Sequence, residues 1–442
     1  MGLDRAEAKA GVNRGTLLRG SVTPEEATVD DKSLYAAILG VTKPWAVEKV
    51  ELRLTDGEVH VWVALPTDTR WVCPDCQAGA PIHDHRERVW RHLDTCQYRT
   101  LVHAPVPRLA CPTHGIRQLP VPWAEKGSRF TALFEALAID WMKQAAIATV
   151  AERLRLTWDE AAGIQARAVQ RGLARRAATP AAHLGIDETA FARRHQYVSV
   201  VTDLDRSRVL YVADDRRRES LDAFWAHLSA AELDAIEAVA MDMWEPYLAS
   251  TRAYLPDSDG KIVFDKFHIA QHANQAVDEV RRAEHRSLRA TGRDWLGGTK
   301  FDWLRHPRRF SREAWRDFLG FVRHTKLKTG RAWALKEMLM TVWQYVYPGA
   351  AERHFDAWYA WAIRSRLAPM QRVARMLRRH WPNIKTYFTA RITNAGAESM
   401  NSKIQKIKVL ARGFRNRERF KHAIYFHLGG LDLYPQPLAR TA

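Results

Sequence analysis

At 442 residues the chain is long enough for two to four domains and at least one sizeable core. Its 68 Lys and Arg against 50 Asp and Glu leave a net charge of +18, which favours a polyanionic partner. No stretch reaches the ~20 uninterrupted apolar residues of a membrane-spanning helix, and four cysteines are too few for a disulfide scaffold at this length.

Residues 1–32 are polar and aperiodic and read as a flexible leader. The opening MGLDRAEAKAGVNRG holds no apolar run of signal-peptide type, so a cytoplasmic protein is expected. Residues 33–125 read as a β-rich domain of short strands. Residues 47–54 alternate with period two, and a second strand over 59–65 follows a turn at Gly57. Inside this segment stand two knuckles, Cys73-Pro-Asp-Cys76 and Cys111-Pro-Thr-His114. Four soft or borderline ligands in that pattern suit a closed tetrahedral structural zinc site. Cys96 reads as a core residue, and His83, His85 and His92 are rivals for the fourth ligand.

Residues 126–180 change to helix formers with helical apolar spacing. A break near Leu156 and Thr157 divides two helices in the manner of a helix-turn-helix. Thr157 is the expected N-cap, with Glu160 completing a capping box. The second helix carries Gln165, Arg167, Gln170 and Arg171, read as its polar, DNA-contacting side.

Residues 181–270 are mixed α/β. A short strand over 184–187 leads into a turn, and strands over 197–202 and 208–213 follow. A helix over 220–228, a strand over 236–241, another helix and a strand over 261–264 complete the order expected of a ribonuclease-H-like sheet. Residues 271–385 are helical and basic and hold eight of the 17 tryptophans, which predicts an all-helical insertion with an aromatic core. Residues 386–442 would then return to the catalytic domain with one further helix and a tail.

Three acids are placed for chemistry. Asp187 in GIDET ends the first strand, Asp242 in AVAMDMW closes the 236–241 strand, and Glu398 in TNAGAESMNSKIQKIK lies on a helix. On that helix Met400, Ile404 and Ile407 face a core, while Glu398, Asn401, Gln405 and Lys408 form a separate polar stripe. Phosphodiester cleavage needs a nucleophile made near neutral pH and a stabiliser for the departing 3′ oxygen. Two magnesium or manganese ions about 4 Å apart supply both, and a few carboxylates plus substrate phosphate suffice to hold them. Glu188, Asp214, Asp215 and Asp265 are rivals. Asp214 and Asp215 sit in an Arg-rich turn and read as a solvated ion-pair cluster, whereas Asp265 is the stronger candidate, with His268 three residues on.

With these motifs the sequence resembles the ISL-three family of bacterial insertion-sequence transposases. The matching features are CPDC with CPTH, the helix-turn-helix segment, HLGIDETAFARRHQYVSVVTDLD, AVAMDMWEPY, KIVFDKFHIAQHANQAVDEVRR and RITNAGAESMNSKIQKIKVLARGFRN, spanning about residues 35–435. The resemblance implies a multidomain α/β protein. A zinc-binding domain and a helix-turn-helix would precede a ribonuclease-H-like DDE domain interrupted by a helical insertion. It assigns the triad to Asp187, Asp242 and Glu398 and zinc to Cys73, Cys76, Cys111 and His114. The expected activity is binding of terminal inverted repeats in double-stranded DNA, strand cleavage and strand transfer, by a dimer or larger assembly associated with the bacterial nucleoid. Asn401, Lys403, Lys406, Lys408, Arg412 and Arg415 would contact DNA. A DNA-binding regulator without catalysis and a nuclease without joining activity are the alternatives.

Overall fold

The computed structural model describes residues 30–66, 70–192, 196–264, 266–393 and 395–436. The chain divides into two compact units, residues 1–134 with 436–442, and residues 135–435. No helix among the described residues is long and apolar enough to cross a membrane.

The first unit opens with a helix where strand was expected from Ser33. α1 (Asp31–Leu39) starts because the Asp30 carboxylate accepts from Ser33 N at 2.7 Å, and Tyr35 and Leu39, four residues apart, bury one face. Five strands follow: β1 (Ala46–Arg53), β2 (Glu58–Ala64), β3 (Ile82–Thr95), β4 (Tyr98–Cys111) and β5 (Gly115–Gln118). They form one sheet in the order β1-β2-β4-β3, with β5 paired to β4. Only β2 and β4 run parallel. β3 and β4 are 14 residues each, longer than the short strands expected. Val102, Ala104 and Val106 alternate inward from β4 and meet Trp90 of β3, whose ring lies edge-on to Trp123 at 5.5 Å.

α2 (Ala132–Gln144) carries the chain from one unit into the next, and α3 (Ile147–Arg153) and α4 (Trp158–Arg175) follow. The predicted capping box is present: Thr157 Oγ1 accepts from Glu160 N at 3.2 Å, and Glu160 Oε2 accepts from Thr157 N at 2.9 Å. Arg155, in the left-handed region at φ 54°, closes the turn between α3 and α4.

The second sheet comprises β6 (His183–Ala192), β7 (Gln196–Asp203), β8 (Arg208–Ala213), β9 (Ala238–Met241) and β10 (Ile262–Phe264). Its order is β10-β9-β6-β7-β8. β6, β7 and β8 form an antiparallel meander, while β9 and β10 join β6 in parallel. The intervening helices are α5 (Arg218–Trp225), α6 (Ala230–Asp234), α7 (Glu245–Tyr254) and α8 (Ser258–Lys261). β6 does not end at Asp187 as expected. It continues to Ala192 because β7 supplies partners along the whole hairpin, including Asp187↔Val200 and Thr189↔Val198.

Eight helices then follow: α9 (Lys266–Arg289), α10 (Lys300–Leu304), α11 (Arg312–Thr325), α12 (Lys328–Met340), α13 (Pro348–Arg364), α14 (Ala368–Arg379), α15 (Trp381–Lys385) and α16 (Tyr387–Ala390). Trp303, Trp333, Trp358 and Trp381 are core residues here, with Trp381 stacked on Phe355 at 3.9 Å. Trp295 and Trp361 are exposed instead. The chain returns to the sheet with α17 (Ala395–Leu410), packed on β6, and α18 (Arg417–Leu428), packed on α4 and β8.

Candidate active site and metal centres

The parallel ladder between β6 and β9 ends at Ile186↔Met241. The next residue on each strand is an acid, Asp187 and Asp242, so register alone sets the two carboxylates side by side at the carboxyl ends of adjacent parallel strands. Open α/β sheets bind ligands at that edge. The first turn of α9 adds His268, whose Nε2 lies 2.6 Å from Asp242 Oδ1. Asp187, Asp242 and His268 offer ligand atoms all within 4.8 Å of one another. Asp265, the rival acid, lies outside the described residues.

α17 is docked on this edge by the predicted polar stripe. Asn401 Nδ2 donates to Asp187 Oδ2 at 2.8 Å and to Glu188 O at 3.1 Å. Gln405 Nε2 donates to Thr189 Oγ1 and Lys408 Nζ to Ala190 O, both at 2.8 Å. Glu398 stands three residues before Asn401 in the exposed first turn of α17, on the face that reaches Asp187. It is not within the 4.8 Å cluster.

Burial first, and then the Asp242 charge, push the Asp187 carboxyl up to about 7. Two facing acids, one of them largely buried, favour a cation between them. The buried Asp242 Oδ1 supports that fit: despite its closeness to His268 Nε2, no donor is aligned to hydrogen-bond it among the described residues. Hard carboxylate oxygens of this kind suit a divalent ion such as magnesium or manganese.

The four predicted zinc ligands converge in the first unit. Cys76 Sγ and Cys111 Sγ are 3.7 Å apart, and His114 Nδ1 lies 3.7 Å from Cys111 Sγ and 3.9 Å from Cys73 Sγ. Thiolates bound to one tetrahedral zinc at about 2.3 Å stand about 3.8 Å apart, so the cluster fits the ion. The β4–β5 hairpin builds one knuckle through the Cys111↔Gly115 pair, and Cys73 O accepts from Gln77 N at 2.8 Å to build the other. Arg117 Nε ties them together through Asp75 at 2.6 Å. His83, His85 and His92 stand outside the cluster. Cys96 is exposed in the β3–β4 turn, at φ 49°, which corrects its reading as a core residue.

A second correction concerns α4. Gln165 and Arg171 are buried, and Arg167 and Arg171 both donate to Glu135, whose side chain is 1% exposed. Arg167 and Arg171 turn inward because this acid on α2 meets them there. Of the four, Gln170 is exposed. Of the residues expected to contact DNA around α17, Lys403, Lys406, Arg412 and Arg415 are exposed, while Asn401 and Lys408 are engaged with β6. A cleft of about 1090 Å³ runs between α3, α4 and the segment joining α17 to α18, with Trp158, Arg412, Arg415 and Arg419 on its walls.

Sequence reasoning did not find Arg216 and Trp244. The Arg216 guanidinium lies 4.8 Å from the centre of the Trp244 ring, and its Nη1 lies 3.6 Å from Glu188 Oε2, beside Asp187. The one available signal was an aromatic residue two positions beyond Asp242.

Three family profiles match the chain. One described as zinc-finger of transposase IS204/IS1001/IS1096/IS1165 covers residues 69–114. The helix-turn-helix domain of transposase family ISL3 covers 119–169. The ISL3 DDE profile, described as transposase, covers 184–424. Among curated proteins, the transposase for insertion sequence element IS1557 of Mycobacterium tuberculosis is 27% identical over 419 residues, covering 87% of this chain and 92% of the relative. The transposase for insertion sequence element IS1001 of Bordetella parapertussis is 26% identical over 392 residues, 86% and 95% of the two chains.

Proposed function

Because the chain belongs to the ISL3 family of transposases, with zinc-ribbon, helix-turn-helix and transposase domains in that order, it is an enzyme of DNA transposition, and we propose that it cuts and joins DNA at Asp187, Asp242 and Glu398. The observation that carries this reading is the pairing of Asp187 with Asp242 at the ends of adjacent parallel strands, with α17 fastened to Asp187 through Asn401.

In this proposal residues 181–270 and 386–442 form a split ribonuclease-H-like domain around a helical insertion at 271–385. Residues 33–125 and 126–180 are the zinc and helix-turn-helix modules. The β10-β9-β6-β7-β8 order, with its antiparallel meander and parallel flank, supports the assignment. The carboxylates would hold two magnesium or manganese ions, which when bound activate a water or a 3′ hydroxyl and stabilise the leaving oxygen. Asn401 holds the Asp187 carboxylate in one orientation, and His268 lies against Asp242. Lys403, Lys406, Arg412 and Arg415 engage phosphates, which makes binding strongly salt-dependent. Cys73, Cys76, Cys111 and His114 hold a structural zinc, since the set leaves no open position for chemistry. The modules before residue 181 would recognise terminal inverted repeats, and bringing two ends together requires a dimer or larger assembly on DNA.

The test is a strand-transfer assay with magnesium and labelled DNA carrying the flanking repeats, comparing wild type with Asp242→Asn. Joined products from wild type alone are expected. Tight specific binding with neither cutting nor joining from either protein, in magnesium or manganese, would make the protein a regulator. Cutting without joined products would make it a nuclease.

A further inference from the structure

An aromatic and cationic surface lies beside the carboxylate pair. Trp244 follows Asp242 by two residues and is 40% exposed, although large aromatic rings are usually covered. Its indole is fixed rather than loose: Trp244 Nε1 donates to Arg216 O at 3.2 Å. The Arg216 guanidinium lies 4.8 Å from the Trp244 ring centre and 5.2 Å from that of Tyr197. The loop carrying Arg216 is pinned to the sheet. Ser199 Oγ donates to Asp215 O at 2.7 Å, Tyr247 OH meets the same Ser199 Oγ at 2.6 Å, and Asp215 Oδ1 accepts from Arg217 N and Ser220 Oγ.

An open pocket of about 480 Å³ is lined here by Arg216, Arg217, Arg218 and Trp244, with Glu219 and Glu245 as the acids on its wall. Arg217 and Arg218 are held by partly exposed ion pairs, with Asp215 at 3.2 Å and with Asp222 at 3.4 Å, while Arg216 also reaches Glu188 at 3.6 Å. Such pairs contribute little and exchange readily for a phosphate. A rigid exposed indole with a guanidinium packed beside it is the surface on which an unpaired base stacks, and the adjoining cations suit the backbone that carries it. A base inside a duplex has its faces covered by its neighbours, so a base within the strand stacks here once it is unpaired.

We propose that Trp244 and Arg216 form a stacking subsite for an unpaired nucleobase next to the scissile phosphodiester, with Arg217 and Arg218 holding the adjoining phosphate. The proposal rests on Asp187 and Asp242 being the site of strand cleavage. It makes the enzyme prefer a DNA end that is distorted or unpaired at the cut.

The test measures binding separately from chemistry. Duplexes copied from the DNA flanking the gene carry 2-aminopurine at the cut, either fully paired or with that nucleotide unpaired, and are titrated without added divalent metal. Wild type is expected to quench the unpaired probe and to bind it more tightly than the paired one. Trp244→Ala should lose the quenching and about 5- to 150-fold of the affinity for the unpaired duplex, with little change for the paired one. Trp244→Phe should retain both effects, and Trp244→Leu, which keeps apolar bulk but no ring, should behave as Ala. Equal affinity and quenching in wild type and Trp244→Leu would overturn the subsite. If Asp242→Asn cleaved normally while quenching still required Trp244, the reading of the carboxylates would fall and the stacking surface would stand.

Discussion

Replacing Glu135 with Ala is expected to loosen the attachment of α4 to α2 more than any surface change nearby. The Glu135 side chain is 1% exposed; its Oε1 accepts from Arg167 Nε at 3.0 Å and its Oε2 from Arg171 Nη2 at 2.8 Å. The Arg171 side chain is itself 6% exposed, and another of its nitrogens donates to Leu433 O. A guanidinium cannot shed its proton in response. Deleting the carboxylate takes one partner from this buried ion pair, which costs about 3–5 kcal/mol. Arg167, with its side chain 31% exposed, adds less because water replaces the lost partner. In hydrogen exchange under native conditions, α4 amides protected by this packing should exchange roughly 100- to 4,000-fold faster in Glu135→Ala. The double variant Glu135→Leu with Arg171→Met removes both charges and should recover most of the protection. Acceleration below tenfold in the single variant, or no recovery in the double, would refute the reasoning.

Cys73→Ala should release the zinc and unfold the sheet of β1 to β5, since structural zinc contributes about 10–16 kcal/mol in small zinc domains; one zinc per chain with unchanged circular dichroism would contradict it. Burial chiefly, and the Arg91 charge next, lower His92 from 6.5 to about 4. The unfolded chain then binds a proton that the folded unit refuses, so stability is full above pH 6.5 and falls by roughly 3 kcal/mol as pH drops to 4. Acid also displaces zinc from its ligands, so the diagnostic is the difference between wild type and His92→Asn in urea midpoint across that window, and identical slopes would dismiss the effect. Thr157→Ala should destabilise the start of α4 by about 1 kcal/mol, with Ser restoring it, because Thr157 Oγ1 caps Glu160 N; an unchanged thermal midpoint would count against the cap.

Several features were readable because local pattern and tertiary role coincide. The hairpin of β7 and β8 has two β-branched runs around a short turn, and the Thr157 cap announces itself by its spacing to Glu160. The stripe of Asn401, Gln405 and Lys408 was legible as a face of α17, although its target, the β6 backbone and side chains, was not. What the sequence concealed depended on distant partners. Gln165 and Arg171 look solvent-facing by polarity, and for Arg171 the buried partner is Glu135, 36 residues earlier on another helix. β6 runs past Asp187 because β7 extends beside it, which no property of GIDET itself announces. β3 reads IHDHRERVWRHLDT, whose many charges hide a 14-residue strand with one wet face. By spacing alone His268 goes with Asp265, but β10 runs parallel to β9 with Phe264 opposite Met241, which sets the first turn of α9 beside Asp242. Arg216 and Trp244 meet from separate segments, so neither stood out alone.

The central claim is that Asp187, Asp242 and Glu398 act together on DNA. The most direct measurement is single-turnover joining of a pre-cut DNA end in magnesium by Asp187→Asn, Asp242→Asn, Glu398→Gln and His268→Gln, each checked for unchanged DNA affinity. The first three should each lose joining by at least about 1,000-fold, as expected when a residue of a concerted site is removed, while His268→Gln keeps measurable activity. Full activity in Glu398→Gln with joining abolished in His268→Gln would contradict the account and make His268 the third member of the site.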